Sequence, residues 1–447
     1  MHLIENARIV SDGRVFRGSV LLEGDRIEAV YRDAAPDAVR ERAVVTDADG
    51  CWLLPGVIDT HVHFRDPGFP DKGDFHSESR AAVAGGVTAV LDMPNTLPQT
   101  VSVSALEAKK RMASEKSLVN YGFFLGVTND NQPELERADY TGIAGVKLFT
   151  GSSTGGMLVN DRERLRDLFA RTPAVIVAHA EDEAAIRSAR QRLVAAYGDT
   201  LPLAAHSAMR DADACFSASS MLVELARATG ARLHLAHLST EKELALLEDR
   251  PLVEKRVTAE TCPQYLYFCD ADYDRLGARI KCNPAVKSAS DRRALLSALP
   301  SGKIDTIATD HAPHALRDKE GDALHAASGM PGVQFSLPLM LELVRRGTLT
   351  IEQVVEKMCH NPARLFAIEK RGFIRKGYYA DLTLVRRDVR WTLNASDVLS
   401  ACGWSPYEGM EFSTRVEATW VGGWLAYNAS GRGVDDNARG AALRFVR

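Results

Sequence analysis

Eight short apolar segments set the tightest limit on what this chain folds into. In order they are WLLPGVIDTHVHF, VTAVLDMPN, VNYGFFLGVT, GVKLFTG, AVIVAHAED, RLHLAHLST, VTAETCPQYLYF and IDTIATDHAP. Helical stretches separate most of them, among them SVSALEAKKRMASE, the Ala-rich segment 181–197, SASSMLVELARATG and DRRALLSAL. Eight parallel strands alternating with helices predict an α/β fold, a (β/α)8 barrel of the TIM type. The competing architecture is a doubly wound open sheet. It has fewer strands as a rule and favours a Gly-rich nucleotide turn after the first one, yet neither GxGxxG nor GxxxxGKS/T occurs there.

The flanks have a different texture. Residues 1–55 read as short alternating strands with Gly-Asp and Asp-Gly turns (LIENARIVSDG, SVLLEGDRIEAV), too small a unit to enclose a core alone. Similar patterning returns in GFIRKGYYADLTLVRR and STRVEATWVGGWLAYN. Residues 1–55 and 371–447 are therefore expected to meet in one small β-sandwich beside a barrel of residues 56–370.

At 447 residues, 45% hydrophobic and 26% charged, the chain suits a soluble globular protein with a large core. A formal net charge of -4 gives no basic field for nucleic acid or an anionic membrane. No run approaches a membrane span, and MHLIENARIVSDG lacks the regions of a signal peptide. The seven cysteines form no CxxC pair and read as reduced thiols in the cytoplasm. Cys51, Cys215, Cys269, Cys359 and Cys402 are expected to be small packed residues.

A barrel makes one demand: its chemistry belongs at the C-terminal ends of the strands. Polar residues do fall there. His61 and His63 end the first segment, and residues i and i+2 of a strand face the same way, which is metal-ligand geometry for two neutral imidazoles. Asn95 ends the second segment, Lys147 lies in the fourth, His179 and His237 end the fifth and sixth, Asn283 follows the seventh, and Asp310 ends the eighth. Each has a plainer reading. Lys147 fits half of a buried ion pair or a side chain pointing outward between helices, and more sharply a neutral amine that has reacted with carbon dioxide to a metal-bridging carbamate. His179 and His237 fit core histidines bonded to carbonyls; His234 shares a face with His237, which is preferred as nearer the strand end. Asp310 fits a helix cap, or a metal ligand that also acts as general base. His311 and His314 cannot both face a site with Asp310, and His314 is preferred for substrate contact. Arg65 sits on the same face as the His-x-His pair and suits a carboxylate substrate, and Asn95 suits either a turn or an amide donor to that carboxylate. The loop 151–161, GSSTGGMLVND, reads as a lid or as an ordinary long loop.

Taken together, HVHFRDPG, DMPNT, GVKLF, AHAED, AHLST, KCNPAVK, TDHAPH and GWSPYEG resemble the dihydroorotases of the stand-alone bacterial type, within the cyclic-amidohydrolase branch of the amidohydrolase superfamily. The resemblance runs through nearly the whole chain. It implies a binuclear centre of two zinc ions per subunit. His61 and His63 match ligands of the more buried ion, completed by Asp310. His179 and His237 match ligands of the other, and a carboxylated Lys147 bridges the two. Arg65, Asn95 and His314 match residues that hold the substrate carboxylate, and Asn283 a position that contacts the ring. One departure is visible: the stretch usually resembling NPPLR reads NPAVK here, Asn283 to Lys287. The resemblance implies reversible cyclisation of N-carbamoyl-L-aspartate to L-dihydroorotate in pyrimidine biosynthesis, with a small-molecule substrate and a homodimer. The rival readings are a hydantoinase or allantoinase, and a metal-free relative serving as a scaffold.

Overall fold

The computed structural model describes residues 1–151, 156–159 and 161–447. Five strands come first: β1 (His2–Ser11), β2 (Arg14–Glu23), β3 (Arg26–Arg32), β4 (Val44–Asp47) and β5 (Trp52–Pro55). Eight follow: β6 (Val57–Val62), β7 (Val87–Asp92), β8 (Asn120–Gly126), β9 (Gly145–Phe149), β10 (Ile176–His179), β11 (Leu233–Leu238), β12 (Val257–Thr261) and β13 (Thr306–Ile307). The last four are β14 (Leu382–Thr392), β15 (Glu411–Val421), β16 (Trp424–Asn428) and β17 (Gly433–Val434).

Strands β6 to β13 pair in chain order and in parallel, each with the next, as the eight apolar segments predict. The circle nearly closes between β6 and the segment after β13, where an isolated bridge joins Val62 and His311. Here β13 is only two residues long, and side chains take over part of the ladder. The His63 N–H donates to the His311 carbonyl at 2.8 Å, and the Asp59 carboxylate accepts both the N–H and the hydroxyl of Thr309 at 3.1 and 2.6 Å. Helices on the outside begin at capping side chains, for example Asp74, Ser102, Asp182, Asp211 and Ser288, each accepting a backbone N–H of the first turn.

The strands of both chain ends join in one separate sheet, ordered β17-β16-β15-β14-β5-β1-β2-β3 with β4 on β1. Its apolar side chains, among them Ile9, Val20, Ile27, Leu53, Leu382 and Trp420, form their own buried cluster. Two apolar runs divide more finely than the sequence pattern indicates. The run 52–64 holds two strands, because the chain leaves one sheet for the other at Gly56. A Cβ there would lie 2.1 Å from the Thr88 hydroxyl oxygen, so only glycine permits that approach. The run 257–268 is strand only to Thr261, since Pro263 opens the helix Pro263–Tyr267.

Asp381, just before β14, ties the two sheets together. Its carbonyl accepts the Gly56 N–H at 2.8 Å. One carboxylate oxygen accepts from the Asn120 amide on β8 at 3.1 Å and from the Gly422 N–H at 2.8 Å, and the other pairs with the buried Arg371 guanidinium. Replacing it leaves a buried cation without its partner. Asp381→Ala is expected to destabilise the protein by about 3–5 kcal/mol, read as a lowered midpoint in urea unfolding.

Candidate active site

The strand-end residues converge on one cavity of about 310 Å³ at the C-terminal mouth of the barrel. Its wall includes His61, His63, Arg65, Asn95, Lys147, His179, His237, Asn283, Asp310 and His314, every side chain that the sequence pattern put forward. Period-two alternation explains why: His61 and His63 leave the end of β6 on its inner side, and the other strands end at the same level. His311, by contrast, turns away, its Nε2 bonded to the Glu78 carboxylate at 2.7 Å and its Nδ1 accepting the Gly332 N–H at 3.0 Å. His234 also stays off the cavity and bonds Thr258 and Glu260. Five of the eleven residues of the loop that reads as a lid, 152–155 and 160, lie outside the described residues.

Two groups of donors face each other. In the first, one Asp310 oxygen lies 3.0 Å from His63 Nε2 and 3.3 Å from His61 Nε2, and a ligand atom from each of the three falls within 4.8 Å of the others. In the second, His179 Nδ1 and His237 Nε2 are 2.9 Å apart. Lys147 stands in the same wall. Its Nζ is fully buried and makes no hydrogen bond; its neighbour is the Phe149 ring, 5.2 Å away. Burial lowers this lysine to about 8 and His61 to about 4, while the Asp310 carboxyl is raised by burial. Neutral imidazoles, a carboxylate and a lysine with an unmet polar atom are the donor set that divalent zinc accepts. The residues fit the expected metal centre, with Lys147 as the group whose orphaned nitrogen a carbamate would satisfy.

Three residues here hold positive φ despite carrying side chains: Arg65 at 70°, His237 at 41° and Asp310 at 50°. Left-handed backbone at non-glycine residues is strained and persists only where packing over-determines it. At His237 the strain coincides with a break in the β11–β12 register between Leu235 and Leu238, which lets the ring leave the ladder and enter the cavity.

The same cavity carries one guanidinium, that of Arg65, close to the histidines. The Arg65 Nε donates to the Pro313 carbonyl at 3.0 Å, while its buried Nη2 has no hydrogen-bond partner. Burial lowers its guanidinium to about 10. Asn95 Oδ1 accepts from His63 Nδ1 at 2.9 Å, and His314 Nε2 donates to the Ser328 carbonyl at 3.1 Å. His314 Nδ1 and Asn283 Oδ1 are buried and unsatisfied.

Sequence reasoning missed the carboxylates behind the histidines. Glu260 on β12 touches His61 Nδ1 at 2.5 Å and His234 Nε2 at 3.3 Å, and accepts from the Thr60 hydroxyl and the His237 N–H. Burial would raise it, but His61 and His234 outweigh burial and hold it well below the usual carboxylate range. Glu181 accepts from His179 Nε2 at 2.7 Å and pairs with Arg210; against the effect of burial, Arg210 and His179 bring it down to about 2. Both signals were present as acids beside apolar strands, in VTAET and VAHAED. The cavity also includes Phe149, the last residue of β9, and Phe69, Lys72, Ala312, Ala327, Ser328 and Gly329, which strand-end logic does not reach.

A parallel barrel with such a mouth defines the class, and comparison with known proteins agrees. The chain belongs to the amidohydrolase family, whose model matches residues 52–425. A dihydroorotase of Halobacterium salinarum is 37% identical over 413 residues, 92% of each chain. An L-hydantoinase of Paenarthrobacter aurescens is 32% identical, over 94% of this chain and 93% of its own. The solved structure of L-hydantoinase (dihydropyrimidinase) from Arthrobacter aurescens matches with a TM-score of 0.92 at 30% identity, covering 99% of both chains. Among the described residues no helix is long and apolar enough to cross a membrane.

Glu260 orients His61 from behind, as carboxylates do for histidine ligands. Glu260→Gln is expected to weaken metal affinity by about 10–100-fold, measured by chelator competition on the purified protein.

Proposed function

We propose that this chain is a zinc-dependent dihydroorotase, interconverting N-carbamoyl-L-aspartate and L-dihydroorotate. The observation that carries the reading is the buried, unpartnered Arg65 Nη2 in the wall of the cavity that holds the histidine cluster. A buried guanidinium nitrogen without an acceptor calls for an anion, and a carboxylate is matched by the planar fork. The likeness to a dihydroorotase over 92% of the chain supports it.

In this reading His61, His63 and Asp310 would hold one ion and His179 and His237 the other, and Lys147, as a carbamate, would supply a further oxygen ligand. Bound there, zinc supplies Lewis acidity to the ring amide carbonyl and brings water towards deprotonation at neutral pH. The rest falls to the chain. Arg65, with Asn95 and His314, grips the α-carboxylate and fixes the ring so that no orientation search precedes attack. Asp310 accepts the proton of the attacking water. As the carbonyl carbon–nitrogen bond breaks, that proton passes from Asp310 to the departing nitrogen. Ring closure runs the same steps in reverse.

The TM-score of 0.92 to L-hydantoinase favours a second reading, a hydrolase of hydantoin-type rings that carry no such carboxylate. The deciding experiment compares ring opening of dihydroorotate, hydantoin and allantoin by the purified protein. Dihydroorotate is expected to be turned over fastest; faster opening of hydantoin or allantoin overturns the assignment. Arg65→Ala is expected to lower kcat/KM for dihydroorotate by about a hundredfold, the worth of charge-assisted hydrogen bonds to a carboxylate. Metal content, read by elemental analysis, is expected to stay at the wild-type level.

A further inference from the structure

A second cavity, of about 430 Å³, lies beside the first, and Ser328 lines both. Its charge is one-sided. Among the described residues, Arg187, Arg190, Arg210 and Lys281 line it with one acid, Glu183. Arg187 and Arg190 sit one turn apart on the exposed side of the helix Glu183–Tyr197 and make no ion pair among the described residues. Arg210 is buried at the inner end, and the Lys281 ammonium donates to the Ala326 carbonyl. Ile186, Met209 and Leu324 supply an apolar flank. Cations gathered in a concave site of this size, in a chain whose net charge is -4, are not explained by the overall balance of charge.

We infer that this cavity binds a small phosphate-bearing anion, separately from the substrate cavity. The exposed guanidinium forks of Arg187 and Arg190, with the already paired Arg210 and Lys281 behind them, match the several oxygens of a phosphate dianion better than they match one carboxylate. The apolar flank suits the carbon part of a phosphate ester. The cavity is also wired to the catalytic mouth. Arg210 pairs with Glu181, and Glu181 accepts from His179 Nε2 at 2.7 Å. An anion seated on Arg210 competes with Glu181 for the guanidinium and so alters the carboxylate that orients His179. Through Ser328, whose carbonyl accepts from His314, the same anion touches the wall that faces the substrate. Occupancy therefore tunes turnover from outside the reacting centre.

The test is calorimetric titration of the metal-loaded full chain with inorganic phosphate and, separately, with ribose 5-phosphate, at about 0.15 M ionic strength. These probes distinguish free phosphate from an ester. Saturable binding of either, one per chain, is expected, with the ester tighter if the apolar flank takes part. Arg187→Glu with Arg190→Glu is expected to weaken it by about tenfold or more, the size of one lost charge-assisted hydrogen bond. Arg14→Glu with Arg17→Glu, on the distant sheet, is expected to leave it unchanged. If the charge-reversed pair fails to fold, Arg187→Gln with Arg190→Gln takes its place. Absence of saturable binding, or equal binding by the Arg187/Arg190 variant, overturns the inference. The binding measurement does not depend on which cyclic amide the enzyme opens, so its failure is distinct from failure of that assignment. A shift in kcat/KM on saturation with the bound probe, lost in the same variant, is the expected sign of coupling.

Discussion

The carboxylate of Glu260 is almost cut off from water, and much of the mouth of the barrel is arranged around keeping it paired. An isolated buried carboxylate is expensive, so partners must come from several directions at once. Here β6 contributes Thr60 and His61, and β11 contributes His234 and the backbone N–H of His237. One acid on β12 thereby fixes the height and rotation of imidazoles from two other strands. His61 is turned so that its Nε2 faces the cavity, and the peptide of His237 is held where its strained backbone swings the ring inward. The same economy recurs on the far side, where Glu181 stands between His179 and Arg210.

This arrangement separates two kinds of work. Burial holds His61, His63 and His237 towards the neutral form, so they present lone pairs to the cavity, while Arg65 in the same wall keeps one nitrogen without a hydrogen-bond partner. A cavity that holds both metal-type donors and an anion-type donor can grip a substrate at two points. On the proposed reading, the reacting amide goes to the histidine cluster and the substrate carboxylate to Arg65.

Much of this was legible in the chain. Eight apolar runs identify the barrel, because every parallel strand must end at the same rim, and the polar residue that ends each run is then placed without knowledge of tertiary contacts. Gly56 was harder to read: it breaks an apolar run that looks continuous, and only the approach of Thr88 reveals why the chain changes sheets there. The eighth run was legible as a strand, but not that only Thr306 and Ile307 of it pair as one, with Asp59 and Thr309 bonding through side chains just beyond. Glu260 and Glu181 were overlooked for a related reason. An acid in a sequence is ordinarily a solvated residue, and only the fold shows that these two are buried against histidines from neighbouring strands. Lys72 and the 327–329 segment come from loops, where periodicity carries no information.

The sheet built from both chain ends has a consequence for synthesis. Strand β5 finds its antiparallel partner in β14, which leaves the ribosome more than 300 residues later. At about 5–20 residues per second that interval is on the order of 15–60 s. Throughout it, β1, β2 and β3 already pair with one another while the β14-facing edge of β5 carries unmet backbone groups, the kind of edge that recruits other chains. The nascent protein is most vulnerable to misassociation late in translation, with its barrel largely made and its first-made sheet still waiting for its last-made strands.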